Sequence, residues 1–397
     1  MSPADRITTR ISTAELERRW SLVRAAMAAR GIDALVMQNA SDWLGGYVKW
    51  FTDVPATNGY PRSVVFYADG PMTVVEMGVF DGRRDLGGQD DLHRGVGTIL
   101  TTPSFFSIDY THSYDGDLVV SDLKRHGVTS IGLLGPGALP TGLVTALYDA
   151  FTGEAEIVDA TADVDAIKAV KSAEEIGLIR RAAALQDTVF ARVLEHIRPG
   201  LRDIDVTSFA QAEGQRLGSE QGIHLGASAP VGIRSPFMPR YLQGRTLAAG
   251  DHLSLLIEVN GPGGFYTEIA RTIVLGKASD ALLDAFEEVR EAQEHTLSLL
   301  KPGTPARDVA AAHDRYMTAR GLPAETRLYA HGQGYDMVER PLIRADETMT
   351  VEEGMCLAVH PGYETDALFA VICDNYMIEA DGPGACLHAT DKQIFEV

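Results

Sequence analysis

The chain has 397 residues, 45% of them apolar and 23% charged, which fits a globular protein of two domains and excludes a disordered or fibrous one. A formal net charge of -20 repels phosphate backbones and anionic lipid heads, so neither nucleic acid nor a membrane surface is expected as a partner. No apolar run approaches the roughly 20 residues that span a bilayer.

In chain order, residues 1–10 are polar with no apolar stretch behind them, so no secretory signal is expected and a cytoplasmic setting follows. Residues 12–30 predict a helix: Ser12 and Glu15 make a capping-box pattern, Leu16, Trp20, Val23 and Met27 share one face, and Gly31 stands at the exit. Short β-type runs follow at 34–37, 63–67 and 73–76. A strand at 130–134 precedes a helix opened by Thr141, and 156–158 reads as a strand again. Strands alternating with helices predict an α/β domain over residues 1–165.

The second domain is predicted over residues 166–397. Lys171-Ser172-Ala173-Glu174-Glu175 opens a long amphipathic helix that runs toward Ile197. Ile197-Arg198-Pro199-Gly200 with Asp205-Val206 then recurs as Leu300-Lys301-Pro302-Gly303 with Asp308-Val309. Each copy follows a long helix and precedes a second one (203–217 and 305–320) that leads into a β-rich stretch. A spacing of about one hundred residues is too long for a solenoid and predicts two αα-plus-β halves related by pseudo-twofold symmetry.

The residues suited to chemistry lie between Ile257 and Asn375. Glu258 precedes a hairpin pattern that carries Glu268, and His331 follows a short strand in His331-Gly332-Gln333-Gly334. His360-Pro361-Gly362 ends a strand at 356–359, and Asp374-Asn375 sits in another. Carboxylates and imidazoles ending on adjacent strands of one sheet can converge on a point, which a metal centre or an acid/base pair requires. Gly261-Pro262-Gly263-Gly264 lacks the Lys-Ser/Thr of a phosphate loop and opens no helix, so it predicts a hairpin turn. Cys356, Cys373 and Cys386 fall at no zinc-site spacing and, odd in number, argue against a disulfide framework; the first two read as inert core thiols.

Through these residues the chain resembles the pita-bread superfamily of creatinase, aminopeptidase P, prolidase and methionine aminopeptidase, over essentially its full length. The resemblance implies a creatinase-like N-terminal α/β domain and a pita-bread C-terminal catalytic domain, pseudo-symmetric α+β. It also implies a homodimer whose N-terminal domain contributes to the neighbouring site. The family's usual dinuclear site uses Asp, Asp, His, Glu and Glu. Glu268, followed by Arg271-Thr272, stands at the second Asp, His331 at the ligand histidine, His360 at the first Glu and Asp374 at the last Glu. Glu258 stands at the first Asp if one residue is inserted; without the insertion the position is Ile257. The second histidine expected after His331 is Val338, and the acid/base histidine of creatinase-like members is Pro239.

Two readings stay open on this altered set. In one, Glu258, Glu268, His331, His360 and Asp374 bind a divalent metal: manganese, iron or zinc. In the other no cofactor is present and His331, His360, Glu268 and Asp374 act as acids and bases, with Glu339 as a proton carrier beside them. Arg62, Arg234, Arg240, Tyr335 and Arg340 are the candidates for binding a small, carboxylate-bearing substrate. The expected activity is hydrolysis of a C–N bond in an amide or guanidino-type substrate of that kind. The alternatives are a metal-dependent Xaa-Pro aminopeptidase or dipeptidase, a lyase using the rebuilt site, and a binding protein without turnover.

Overall fold

The computed structural model describes residues 9–41, 46–108 and 111–397; the first eight residues of the polar N-terminal stretch lie outside the described residues. The chain divides into two units, one gathering residues 10–168 and the other built on residues 169–397.

The N-terminal unit opens on the helix Thr13–Arg30, where Ser12 caps the start by accepting the Glu15 N–H and Gly31 closes the end at φ 66. Seven strands follow: β1 (Ala34–Asn39), β2 (Arg62–Tyr67), β3 (Met72–Met77), β4 (Gly82–Asp85), β5 (Val96–Thr102), β6 (Ser130–Leu133) and β7 (Glu156–Asp159). They form one sheet in the order β4-β5-β3-β2-β1-β6-β7. The helices Tyr114–His126 and Thr141–Phe151 bury Val119, Leu123, Leu143 and Leu147 against Val36, Val65, Ile131 and Leu133 of that sheet. This is the α/β domain that the alternation of strands and helices predicts.

The C-terminal unit is built twice over. In the first half, the helices Ala173–His196 and Asp203–Arg216 accompany a sheet of β8 (Gly222–Ala229), β9 (His252–Asn260), β10 (Tyr266–Val274) and β18 (Phe395–Glu396). In the second, the helices Asp280–Leu299 and Ala306–Ala319 accompany β11 (Ala330–Gly332), β12 (Glu339–Leu342), β13 (Cys356–Val359), β16 (Asp374–Glu379) and β17 (Gly382–Cys386). A two-stranded ribbon, β14 (Gly362–Glu364) with β15 (Phe369–Val371), lies between β13 and β16 in sequence. The two Pro-Gly repeats fall between the paired helices of each half, where a chain break is needed. Reciprocal backbone hydrogen bonds between Ala270 and Cys373 join the two sheets.

Strands β9 and β10 are buried along all nine residues of each. One face carries Leu253, Leu255, Ile257, Ile269 and Ile273 into a core with Leu185, Val189, Phe190 and Val193 of the long helix. Each such side chain stabilises the fold by about 1.5–3 kcal/mol relative to exposure. The pairing sets Glu258 opposite Glu268, Leu256 opposite Ala270 and Ser254 opposite Thr272, so the polar residues share the other face. Ile257 belongs to the core, and Glu258 is the residue that stands beside Glu268.

The turn joining these strands is a hairpin turn, closed by the Gly264 N–H on the Gly261 carbonyl at 2.8 Å. Gly261 lies so close to the long helix that a Cβ there would stand 2.6 Å from the Ala182 Cα. Gly261→Ala is expected to cost about 1–3 kcal/mol by overpacking, read from the midpoint of urea unfolding. An unchanged midpoint would contradict the close approach.

Candidate metal centre

Strand pairing assembles the centre from residues distant in sequence. His331 lies opposite Ala358 of β13, and Ala358 lies opposite Asn375 of β16, so all three share a face. His360 falls two residues beyond Ala358, on the same side, and its N–H on the Tyr329 carbonyl at 2.7 Å extends the pairing. Glu268 meets both imidazoles: its Oε1 is 3.5 Å from His331 Nε2 and 3.5 Å from His360 Nε2. Among the described residues, these three form the one group of His, Cys, Asp or Glu whose ligand atoms all lie within 4.8 Å of one another.

Their neighbours orient them. His331 Nδ1 is 2.9 Å from the Gly332 carbonyl oxygen, which only accepts, so Nδ1 donates there and Nε2 is turned toward Glu268. Among the described residues nothing hydrogen-bonds to Glu268 Oε1 or to His360 Nε2, although both atoms are buried. Burial holds the His360 imidazole well below its usual range, aided by the nearby His331 and Arg327. Burial likewise raises the Glu268 carboxyl, against the pull of His331. It raises Glu258 further, with the charge of Glu268 adding to it.

Three ligand-capable atoms, His331 Nε2, His360 Nε2 and Glu268 Oε1, thus converge, an arrangement that a cation would hold together. Ligands about 2.0–2.1 Å from a tetrahedral ion lie about 3.3–3.4 Å from one another, close to the separations here. Two imidazole nitrogens and one carboxylate oxygen suit zinc or iron. The residues present therefore fit a divalent metal.

A polar layer holds the centre in place. Gln333 Nε2 donates to Glu258 Oε1 at 3.0 Å and to the Met337 carbonyl at 2.9 Å, while its Oε1 accepts from Asn375 Nδ2 at 2.7 Å. Asn375 Oδ1 accepts the Glu268 N–H at 2.7 Å. Neither Gln333 nor Asn375 was picked out by sequence, although Gln333 lies within His-Gly-Gln-Gly and Asn375 follows Asp374. Arg327, also missed, donates to the His360 carbonyl at 3.3 Å and pairs with Glu325.

Asp374, expected as a ligand, is not brought to the centre. Its Oδ1 accepts from Arg271 Nη2 at 2.7 Å and its Oδ2 from Gln293 Nε2 at 3.2 Å, on the side of the sheet that faces the helices. The alternation of β16 puts its neighbours Cys373 and Asn375 on the inner face instead. Cys373 packs there with Leu256 and Ala270, its thiol 3.7 Å from the Glu268 carbonyl.

Glu339, expected as a proton carrier, is paired with Lys171, whose Nζ is 2.6 Å from its Oε2, and both side chains are buried. The last glycine of His-Gly-Gln-Gly, Gly334, makes room for that pair: a Cβ there would lie 2.6 Å from Glu339 Oε2 and 2.7 Å from Lys171 Nζ. Tyr335 is buried and stacks on Phe265 at 4.2 Å. Arg340 pairs with Glu347. Burial alone would raise that carboxyl, but Arg340 and the N–H groups of Leu342 and Met349 hold it down at about 2.

Arg234 pairs with Glu364, and Arg240 donates to Gln211 at 3.0 Å; both lie at the surface. Arg62 lies in the N-terminal unit, where its guanidinium binds Glu76 at 3.0 Å and the carbonyls of Val54 and Pro55. None of the five substrate-binding candidates joins the three-residue group.

Breaking a buried ion pair by removing one partner costs about 3–5 kcal/mol. Lys171→Met should therefore lower stability by about that amount, and the double variant Lys171→Met with Glu339→Leu should regain most of it in urea unfolding. Failure of the double variant to recover would mean that Glu339 matters for more than its pairing.

The profile of metallopeptidase family M24 matches residues 177–380, more than half of the 397-residue chain. An uncharacterized peptidase, YqhT, of Bacillus subtilis (strain 168) is 25% identical over 251 residues, 63% of this chain and 70% of that one. An Xaa-Pro dipeptidase of Pyrococcus furiosus is 23% identical over 230 residues, 57% of this chain and 65% of that one, so the match spans less than two thirds of that relative. A creatinase of Bacillus sp. (strain B-0618) is 24% identical over 388 residues, 90% of this chain and 85% of that one. The fold is that of the X-Pro aminopeptidase from Thermotoga maritima MSB8, with a TM-score of 0.77 at 16% identity, covering 95% of this chain and 99% of that one. With the two-half architecture and the profile match in agreement, the chain belongs to metallopeptidase family M24.

Proposed function

We propose that the chain is a metal-dependent hydrolase of short peptides that cleaves the amide bond before proline or a proline-like residue. The observation that carries this reading is the convergence of Glu268 Oε1, His331 Nε2 and His360 Nε2, two of them buried without a hydrogen-bond partner among the described residues. A divalent ion bound there would supply a hydroxide nucleophile at neutral pH and polarise a carbonyl oxygen. Glu268, His331 and His360 hold that ion. Glu258, its Oε1 fixed by Gln333, is the carboxyl placed to take the proton that the attacking water gives up.

The wall beside the carboxylates supports a ring-shaped apolar group. Leu256, Ala270, Phe369, Val371 and Cys373 cluster there, with Leu225 and Phe237 packed against them. Phe237 and Phe369 meet edge to face at 5.3 Å. An apolar surround of this kind suits a pyrrolidine ring better than a guanidino group, whose donors would face carbon. The order of the two readings drawn from the sequence is therefore reversed, with the Xaa-Pro substrate first and the guanidino substrate second.

The small-molecule substrate class, the homodimer and the cytoplasmic setting belong to the same proposal. No helix among the described residues is long and apolar enough to cross a membrane.

Turnover of an Xaa-Pro dipeptide panel with added zinc, iron or manganese is expected, abolished by chelator. His331→Ala and Glu268→Gln should each lower kcat/KM by more than the roughly 10–100-fold that loss of an outer-sphere partner costs. Chelator-resistant turnover of a guanidino acid, with no hydrolysis of any Xaa-Pro peptide, would overturn the proposal.

A further inference from the structure

The family resemblance implies two ions, and the residues around Glu268 bear on the number. A two-ion site needs ligands on both sides of a shared carboxylate, with the ions about 3.5–4 Å apart. Glu268 has two imidazoles gathered at Oε1, and what lies on the rest of the inner face decides whether a second ion has anything to bind.

Four groups stand where a second ion would look for ligands. The first, Asp374, is turned to the opposite face of β16 and spent: both of its oxygens accept hydrogen bonds, one of them from Arg271. Arg271 is itself immovable in practice. It is fully buried and also donates to the carbonyls of Ala270, Cys373, Thr390 and Asp391. A dication at Asp374 would sit beside this fixed guanidinium in a region of low dielectric, where like charges repel strongly.

The second group, Cys373, takes the inner-face position on that strand, but its thiol lies 3.7 Å from the Glu268 backbone carbonyl and outside the cluster of converging ligand atoms. The third, Asn375, has its amide oxygen on the Glu268 N–H and its nitrogen on Gln333. The fourth, Glu258, is the one further carboxylate on the face among the described residues, and Gln333 aims an N–H at its Oε1. A second ion would hold Glu258 and a share of Glu268 and little else.

We infer that the centre takes one divalent ion per chain, held by Glu268, His331 and His360, and that Glu258, Cys373 and Asp374 stay outside its coordination. This rests on the metal-dependent reading above and narrows it. Arg271 with Asp374 fills, as an internal ion pair, the charge role that a second metal and its carboxylate would play. The N–H dipole of Gln333 then serves Glu258 in place of a cation. The donor set of two nitrogens and one oxygen favours zinc or iron(II) over magnesium or calcium.

The test is a count of ions rather than a rate. Full-length protein is stripped with chelator, titrated with Zn2+ alone and, separately, with Co2+. Bound metal is measured by plasma mass spectrometry against protein from amino-acid analysis. The wild type should saturate at one ion per chain, with the visible Co2+ absorption reaching its endpoint at one equivalent. Glu258→Gln and Cys373→Ser should keep that count, while His331→Ala and Glu268→Ala should lose it. Two ions in the wild type, or a count that falls in Glu258→Gln or Cys373→Ser, overturns the inference while leaving metal dependence intact. A wild type that binds no ion removes the metal-dependent reading itself, and this inference with it.

Discussion

Two carboxylates, Glu258 and Glu268, face one another across a pair of strands buried on both sides, and the chemistry of the molecule follows from that juxtaposition. Like charges opposite each other destabilise a strand pair, and desolvation penalises each of them separately. Each glutamate is relieved differently. Glu258 receives the Gln333 amide, whereas Glu268 is met by the Nε2 atoms of two imidazoles. Among the described residues, Glu268 is the carboxylate gathered with two imidazoles. The opposite face of the same strands, packed on the long helix, supplies the apolar burial that lets so polar an arrangement persist.

A second constraint explains how the two halves of the catalytic unit stay aligned. Arg271 stands on β10 of the first sheet and reaches Asp374 and the Cys373 carbonyl on and beside β16 of the second. It also holds the carbonyls of Thr390 and Asp391 near the end of the chain. A buried ion pair gives little net stability, yet removing one partner is costly, so such a pair is suited to holding a register rather than to strengthening a fold. Glu268 lies three residues before Arg271, and His360 lies just beyond β13, which pairs with β16. The alignment of Glu268 with the two imidazoles therefore depends on this junction.

Much of the architecture was legible in the sequence because its signals are local or periodic. The capping pattern at Ser12, the paired Pro-Gly breaks and the alternation of strands and helices each act within a few residues. The inward residues His331, His360 and Glu268 were legible because each stands in a short recognisable string. Asp374 was misplaced for a reason particular to strands: with a period of two, one position decides the face, and string matching does not see the pleat. Cys373 is the buried core thiol that its apolar strand predicts, and its cluster lies on the inner face beside Glu268. Glu258 over Ile257 was settled by the hairpin pairing, and Lys171 was invisible because its partner Glu339 is remote in sequence. The arginines suggested for substrate were chosen by their place in the sequence and their charge, and their partners in the fold are Glu76, Glu347, Glu364 and Gln211.

The proposed function requires two imidazoles and one carboxylate to hold the catalytic cation. Extended X-ray absorption at the zinc or iron edge of the loaded protein addresses it most directly. The account predicts oxygen and nitrogen neighbours at about 2.0–2.1 Å with outer-sphere scattering from two imidazoles and no sulfur. It predicts no metal–metal vector at about 3.5–4 Å. A sulfur neighbour at about 2.3 Å would bring Cys373 into the coordination sphere, and a spectrum without imidazole scattering would place the metal elsewhere; either would contradict it.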